Sequence, residues 1–466
     1  MSTAKLQVSE PVFARGMIFF AAIAFAIFLA ASIPGNLGID GSIFLCAGRS
    51  GVFGDWHPPM NAALMGFGDR IVEGPLIPYL LAALAYFTAI VLLIRRWISK
   101  PWVQWAAVFV LLLNPVFTAF FINIVKDQFY FAALLLAWAA FSWKRWTWGY
   151  AALILATLFR HNGPLIALGF LTFFPVPRFE KKIRTRVFAT AAAWLGLLAV
   201  SWGFERAVVN RHEFIEQYIY IQDVIGVSLD LNEPLYLKAR PDISEKITLE
   251  EIRPFYTYDN SDVLFYDPAF TSKVSLLSHH AGEVAAWRTA WMYTILHHPI
   301  SYLKLRAVRF SYLMGFHTQY SSFHGIGMGS RYFCDLAKDP QQGREVWPGQ
   351  ALRIEGLYRA VAGFHDRNTH KFFFTPAVLL LALFLAGLVG FFHRQQIRQV
   401  FVSPFSFLIS TVLIEGVGLF FFCTASYRRY FSWGIFAAYF AVLLVVDRVR
   451  FQKADQLIAP KRKTNS

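Results

Sequence analysis

Met17-Ile-Phe-Phe-Ala-Ala-Ile-Ala-Phe-Ala-Ile-Phe-Leu-Ala-Ala31 is an unbroken apolar run, and it gives way at once to Gly38-Ile-Asp-Gly41 and then Gly54-Asp-Trp-His-Pro-Pro59. Residues 17–33 read as a membrane helix. Two carboxylates, Asp40 and Asp55, and one imidazole, His57, follow just outside it. Lipid tails do not solvate ionised groups, so such residues collect where water or a polar substrate meets the membrane. In a chain with further spans, that placement reads as an active site.

The rest of the chain has the same texture. Of 466 residues, 56% are hydrophobic and only 16% charged, with mean hydropathy +0.44. The 48 Phe, 19 Tyr and 14 Trp suit lipid-facing surfaces and interfacial belts. A spanning helix satisfies its own backbone hydrogen bonds, and no run of period-two alternation points to a barrel. The expected fold is therefore an all-α polytopic membrane protein. Spans are expected near 17–33, 76–94, 102–120, 128–143, 147–159, 164–177, 187–204, 372–392, 401–423 and 430–446, about ten transmembrane helices. No small-residue cleavage site precedes Pro34, so the first span reads as retained.

The net charge of +15 would suggest nucleic acid in a soluble protein. Here it follows the loops. Arg95, Arg96, Lys100, Lys144, Arg145, the cluster Arg178–Arg186, Arg394, Arg398 and the tail from Arg448 to Lys463 fall on one side. The positive-inside rule makes that side, and both termini, cytoplasmic, so no nucleic-acid partner is called for. Residues 1–204 form an N-terminal transmembrane module whose first outer loop is 34–75. Residues 205–371 read as an extracytoplasmic, α-rich domain inserted before the last three helices. Residues 372–466 hold those helices and a basic tail. Within 284–313, Trp287, Trp291 and Tyr302 read as anchors of an interfacial amphipathic helix, with Arg306 and Arg309 reaching headgroups. Cys46 and Cys334 either pair in an oxidising compartment or stay free.

Asp40 and Asp55 are the candidate catalytic residues, since a carboxylate at the membrane edge can activate a polar acceptor. Asp55 also has the form of an N-cap, with Pro58 in the first helical turn. His57 stands as a supporting group; a lone His is commonly structural, and no zinc-ligand spacing surrounds it. Lys126, Arg160 with His161 and Asn162, and Arg429 with Tyr430 fall on the side where positive charge is scarce. There a cation can meet a phosphate, Arg as a fork and Lys as a point charge. Snorkelling from helix ends is the competing role for Lys126 and Arg160, and internal pairing with an acid of 205–371 the competing role for Arg429. No nucleotide-binding fingerprint is present. Two carboxylates alone do not call for a divalent metal, nor do they exclude one.

In this order the pieces resemble the GT-C superfamily of membrane glycosyltransferases, closest to family-39-like enzymes. They are the acidic first outer loop (Asp40, then Asp55-Trp-His-Pro-Pro59), Lys126-Asp127, Phe159-Arg-His-Asn-Gly163, Trp287…His298-Pro-Ile-Ser-Tyr-Leu-Lys-Leu-Arg306 and Arg429-Tyr430. The resemblance implies a polyprenyl-phosphate sugar donor and a glycan, lipid or protein acceptor. It also implies work on the outer face of the bacterial inner membrane, with inversion. It maps the catalytic base to Asp40 and the donor-phosphate cations to Arg160, Lys126 and Arg429. Many relatives carry Asp-Glu where this chain has Asp40-Gly41. A lipid-linked-glycan polymerase or ligase is the near rival, and a transporter or flippase of lipid-linked or anionic solutes the distant one.

Overall fold

A computed structural model describes residues 10–33, 35–37, 39–112, 114, 117, 123–174, 183–259, 262–317, 354, 356–357, 359–361, 363, 375–392, 394–422 and 431–448. Nearly all of these residues are helical. The helices found where spans were expected are α1 (Glu10–Ser32), α4 (Leu76–Trp97), α5 (Pro101–Leu112), α6 (Lys126–Ser142), α7 (Trp146–Phe159), α8 (Gly163–Phe173), α9 (Ile183–Val208), α13 (Pro376–Phe392), α14 (Arg394–Phe422) and α15 (Ser432–Arg448). Each expected span thus carries a helix. Four stretches are long and apolar enough to cross a membrane: Arg15–Ser32, Leu76–Trp97, Arg184–Val208 and Pro404–Phe422.

The outer loop expected at 34–75 is itself mostly helical. It holds α2 (Ile39–Ser50) and α3 (Pro59–Ile71). They pack face to face because each offers a glycine at the crossing. A Cβ on Gly48 would stand 2.5 Å from the Gly66 nitrogen, and one on Gly66 2.5 Å from the Gly48 carbonyl oxygen. Polar punctuation in the sequence suggested a loop; the close approach of two glycines makes a helical hairpin of it.

One large apolar core joins α1, α4–α8 and α13–α15. Its centre is aromatic: Trp138 of α6 lies against Phe407 of α14 and against Trp433, Phe436 and Phe440 of α15. The basic end of this bundle is tied off by polar contacts. Arg96 Nε donates to the Ser142 carbonyl at 2.9 Å, and Asp447 accepts from the Ser99 and Lys100 amides. Helix α6 runs from Lys126 to Ser142, so Lys126 and Arg96 sit at opposite ends, about 25 Å apart at 1.5 Å per residue.

A second core forms the inserted domain. Helix α10 (Gln217–Leu231) packs on α11 (Ala281–His297) and α12 (Pro299–Met314), with short helical turns between 235 and 271 covering the remaining face. The expected interfacial helix over 284–313 is thus two helices that break at His298-Pro299. Its anchors also turn inward. Trp287 is fully buried, Trp291 Nε1 donates to Asp223 at 2.8 Å, and Arg306 and Arg309 pair with Asp223. A buried carboxylate on α10 outcompetes lipid headgroups for those two cations. Cys46 is disulfide-bonded, while Cys334 and Cys423 lie outside the described residues.

Candidate functional site

Two residues of backbone pairing build the site. Strand β1 (Asn36–Leu37) pairs in parallel with β2 (Asn123–Ile124), Asn36 opposite Asn123 and Leu37 opposite Ile124. Each strand leads directly into a helix, so the first turns of α2 and α6 are brought side by side. Asp40 and Lys126 stand on those turns. His57, arriving from the other end of the α2–α3 hairpin, lies between them. Its Nδ1 is 3.1 Å from Lys126 Nζ, and its Nε2 is 3.8 Å from Asp40 Oδ1. A lysine ammonium only donates, so Nδ1 accepts and the ring proton sits on Nε2, facing Asp40. At 3.8 Å that contact is electrostatic rather than a direct hydrogen bond. Phe44 packs edge-on against the His57 ring and fixes its plane.

The same pairing accounts for Gly41. A Cβ there would lie 2.8 Å from the Ile124 carbonyl oxygen and 3.1 Å from Leu37. A second acidic residue after Asp40 has no room. We expect Gly41→Ala to push β2 and Lys126 away from Asp40, costing about 1–3 kcal/mol as an overpacked contact does. A thermal melt of the purified full chain checks this; an unshifted midpoint would mean the strand pair tolerates a side chain.

Asp55 has a different part. The N-cap position of α3 is Pro58, with no side-chain cap, so the expected capping role fails. Its carboxylate instead accepts from the Glu213 amide at 2.5 Å and the Phe214 amide at 3.1 Å, and pairs with His212 Nδ1 at 3.1 Å. Next to it, Asn210 Oδ1 accepts from the Phe53 amide and Asn210 Nδ2 donates to the Gly51 carbonyl. The loop before α3 is thereby stitched to the segment that leaves α9 for the inserted domain. Trp56 packs edge-on against Tyr218 of that domain. Asp55 thus faces His212 and the 213–214 amides, and Asp40 faces His57. Among the described residues, no group of three His, Cys, Asp or Glu converges as metal ligands would.

Arg160 is buried, and its Nη1 lies 3.0 Å from Asp127 Oδ1, with the guanidinium over the Tyr130 ring at 5.2 Å. The geometry gives Arg160 an internal ion pair, a role that neither phosphate binding nor snorkelling anticipated. Glu415 of α14, fully enclosed, lies close enough to Arg160 and Asp127 to feel both charges, and one of its oxygens accepts from the Gly434 amide at 2.8 Å. Asn61 Nδ2 bridges the Pro58 and Phe159 carbonyls and so holds α3 against the Arg160 turn. Neither Asn61 nor Glu415 was picked out by motif. The available signal was a polar residue alone in an apolar helix.

His161 is exposed to a cleft, with protein packed around its inner side. It reaches the backbone of Asp55 and Trp56. Enclosure, with the charge of Lys126 as a smaller cause, lowers its pKa from 6.5 to about 4. Asn162 stands at the N-cap of α8, its Oδ1 buried with no hydrogen-bond partner among the described residues. Arg429 and Tyr430 lie outside the described residues. Between pH 6.5 and 4 the unfolded chain binds a proton that folded His161 refuses, so stability falls as pH drops through that window. A melting series from pH 7 to 4 on wild type and His161→Asn is expected to show the steeper loss in wild type. Equal slopes would remove His161 as the cause.

No protein-family model, no curated protein and no solved structure matches this chain. The functional reading therefore rests on the site.

Proposed function

We propose that this chain is an integral membrane glycosyltransferase of GT-C type. It moves a sugar from a polyprenyl-phosphate donor to a hydroxyl of a glycan, lipid or protein acceptor on the outer face of the bacterial inner membrane. The observation that carries this reading is the line Asp40–His57–Lys126, a carboxylate and an ammonium held on either side of one imidazole at the helix ends away from the basic pole. The acceptor oxygen attacks the anomeric carbon while Asp40 takes its proton. The bond from that carbon to the phosphate oxygen breaks, and the phosphate leaves with the electron pair. A phosphate is a good leaving group, so the larger need is a cation already in place. Lys126, at the first turn of α6, supplies it, and a helix N-terminus favours an anion there as well. Arg160, engaged with Asp127, braces α6.

Both termini are cytoplasmic in this reading. A transporter would draw support from the buried Asp127, Arg160 and Glu415. Asp127 and Arg160 lie near helix ends, as the second residue of α6 and the residue after α7, while Glu415, inside the span Pro404–Phe422, accepts from the amide of Gly434, the third residue of α15. Mass spectrometry of lipid extracted from the purified full chain tests the proposal. A polyprenyl-phosphate monosaccharide is the expected species. A preassembled oligosaccharide on the carrier would replace this reading with a polymerase or ligase.

A further inference from the structure

A cleft of about 180 Å³ opens beside the site, between the start of α3, the end of α7 and the outer end of α9. Its walls are apolar: Pro58, Pro59, Leu158, Leu198, Trp202 and Phe204. Glu205 and His161 are its titratable lining residues. The Ser201 hydroxyl, also in the lining, is buried without a hydrogen-bond partner among the described residues. Helix α9 is one of the candidate spans, yet only 6% of its apolar window is buried. Val187, Phe188, Leu195, Val200 and Trp202 all face outward. Such a surface is covered by lipid, and the cleft opens onto it at the end of the span, at headgroup depth.

Charge selects the lipid. Glu205 feels Asp55 and Glu216 as neighbouring like charges, with His212 the opposing group. A lone anionic headgroup is repelled at such a mouth. On the next residue, the Arg206 guanidinium lies at 4.3 Å over the ring of Trp202, which is one of the cleft's walls. Glu205 in the lining and Arg206 against the Trp202 wall offer one charge of each sign, which matches a headgroup carrying both.

We propose that this cleft binds a zwitterionic, amine-headed phospholipid of the bilayer, one acyl chain between Leu198 and Pro59, its ammonium on Glu205 and its phosphate on Arg206. This site is distinct from the Lys126 position offered to a donor phosphate and does not depend on the transferase reading.

Native mass spectrometry of the detergent-purified full chain tests it, with phosphatidylethanolamine and phosphatidylglycerol of matched chains added in equal amounts. Wild type is expected to retain the ethanolamine lipid about threefold over the glycerol lipid, the size of a single partly exposed ion pair. Glu205→Gln is expected to bring the ratio to about one, and Leu198→Trp, which fills the cleft, to reduce both lipids. Asp40→Asn keeps the wild-type ratio, so failure of the transferase reading does not touch this one. Equal retention by wild type, or a preference that survives Glu205→Gln, overturns the proposal. If Leu198→Trp does not yield a monodisperse protein, Glu205→Gln decides alone.

Discussion

Asp40→Asn is expected to lower sugar transfer by about 10²–10⁴-fold, the contribution of a well-placed general base, while the protein folds, inserts and keeps its lipid donor. Asparagine has the shape of aspartate but takes no proton, and it leaves the α2–β2 contact at Gly41 unchanged. Lys126→Met is expected to fail differently. It removes the cation beside His57 Nδ1, so the donor phosphate loses its partner and transfer falls by about 10²–10³-fold. The two variants are told apart by the lipid they carry. Asp40→Asn should co-purify with loaded donor, whereas Lys126→Met should not. The rate is read as product formed per protein in reconstituted vesicles, with elution volume as the check on folding. Wild-type-like transfer by Asp40→Asn removes it as the base, whatever the state of Lys126. His57→Asn, which keeps one donor and one acceptor, should fall between wild type and Asp40→Asn if the ring only orients its neighbours.

The membrane helices were legible because apolar runs and charged breaks report burial in lipid directly. The grouping of Asp40, His57 and Lys126 was legible only as a shared side of the membrane. What joins them is a two-residue strand pair too short to leave a pattern in the sequence, and a glycine, Gly41, whose need is set by a carbonyl some eighty residues away in the chain. Arg160 illustrates the opposite difficulty. A cation on the positive-poor side looks available to a ligand until Asp127 is seen against it. Adjacent in sequence to Lys126, Asp127 read as part of one motif, but helix geometry turns consecutive residues about 100° apart. Lys126 faces the site and Asp127 the bundle interior. The inserted domain misled for the same reason. Aromatic and basic residues spaced along 284–313 match an interfacial helix and a helix packed on a buried acid equally well, and only α10 separates the two.

That buried acid gives the largest expected loss of stability. Asp223 is completely buried, as is Arg306, and Arg309 is nearly so. Arg306 Nη2 pairs with Asp223 Oδ2, Arg309 Nη1 lies 3.5 Å from Oδ1, and Trp291 Nε1 donates to Oδ2. One carboxylate thus faces two guanidiniums. The excess positive charge is met by dipoles: Arg309 also donates to the Gln222 side chain and to the Tyr256 hydroxyl, the latter at 2.7 Å. Burial raises the pKa of Tyr256 to about 12, so it stays a neutral phenol and cannot replace the acid. Asp223→Ala would therefore leave two cations buried with no anion, a change that costs about 3–5 kcal/mol out of the roughly 5–15 kcal/mol that holds a domain together. The expected result is a full-length protein whose inserted domain is cut by protease at low temperature while the membrane helices remain resistant. The triple variant Asp223→Leu, Arg306→Met, Arg309→Met separates two explanations. If the loss comes from uncompensated charge, replacing all three restores protease resistance, since apolar side chains of similar volume fill the same space without desolvation cost. If resistance stays low in the triple variant, the ion cluster holds α10, α11 and α12 in register through its geometry, and charge balance is not the reason Asp223 is needed.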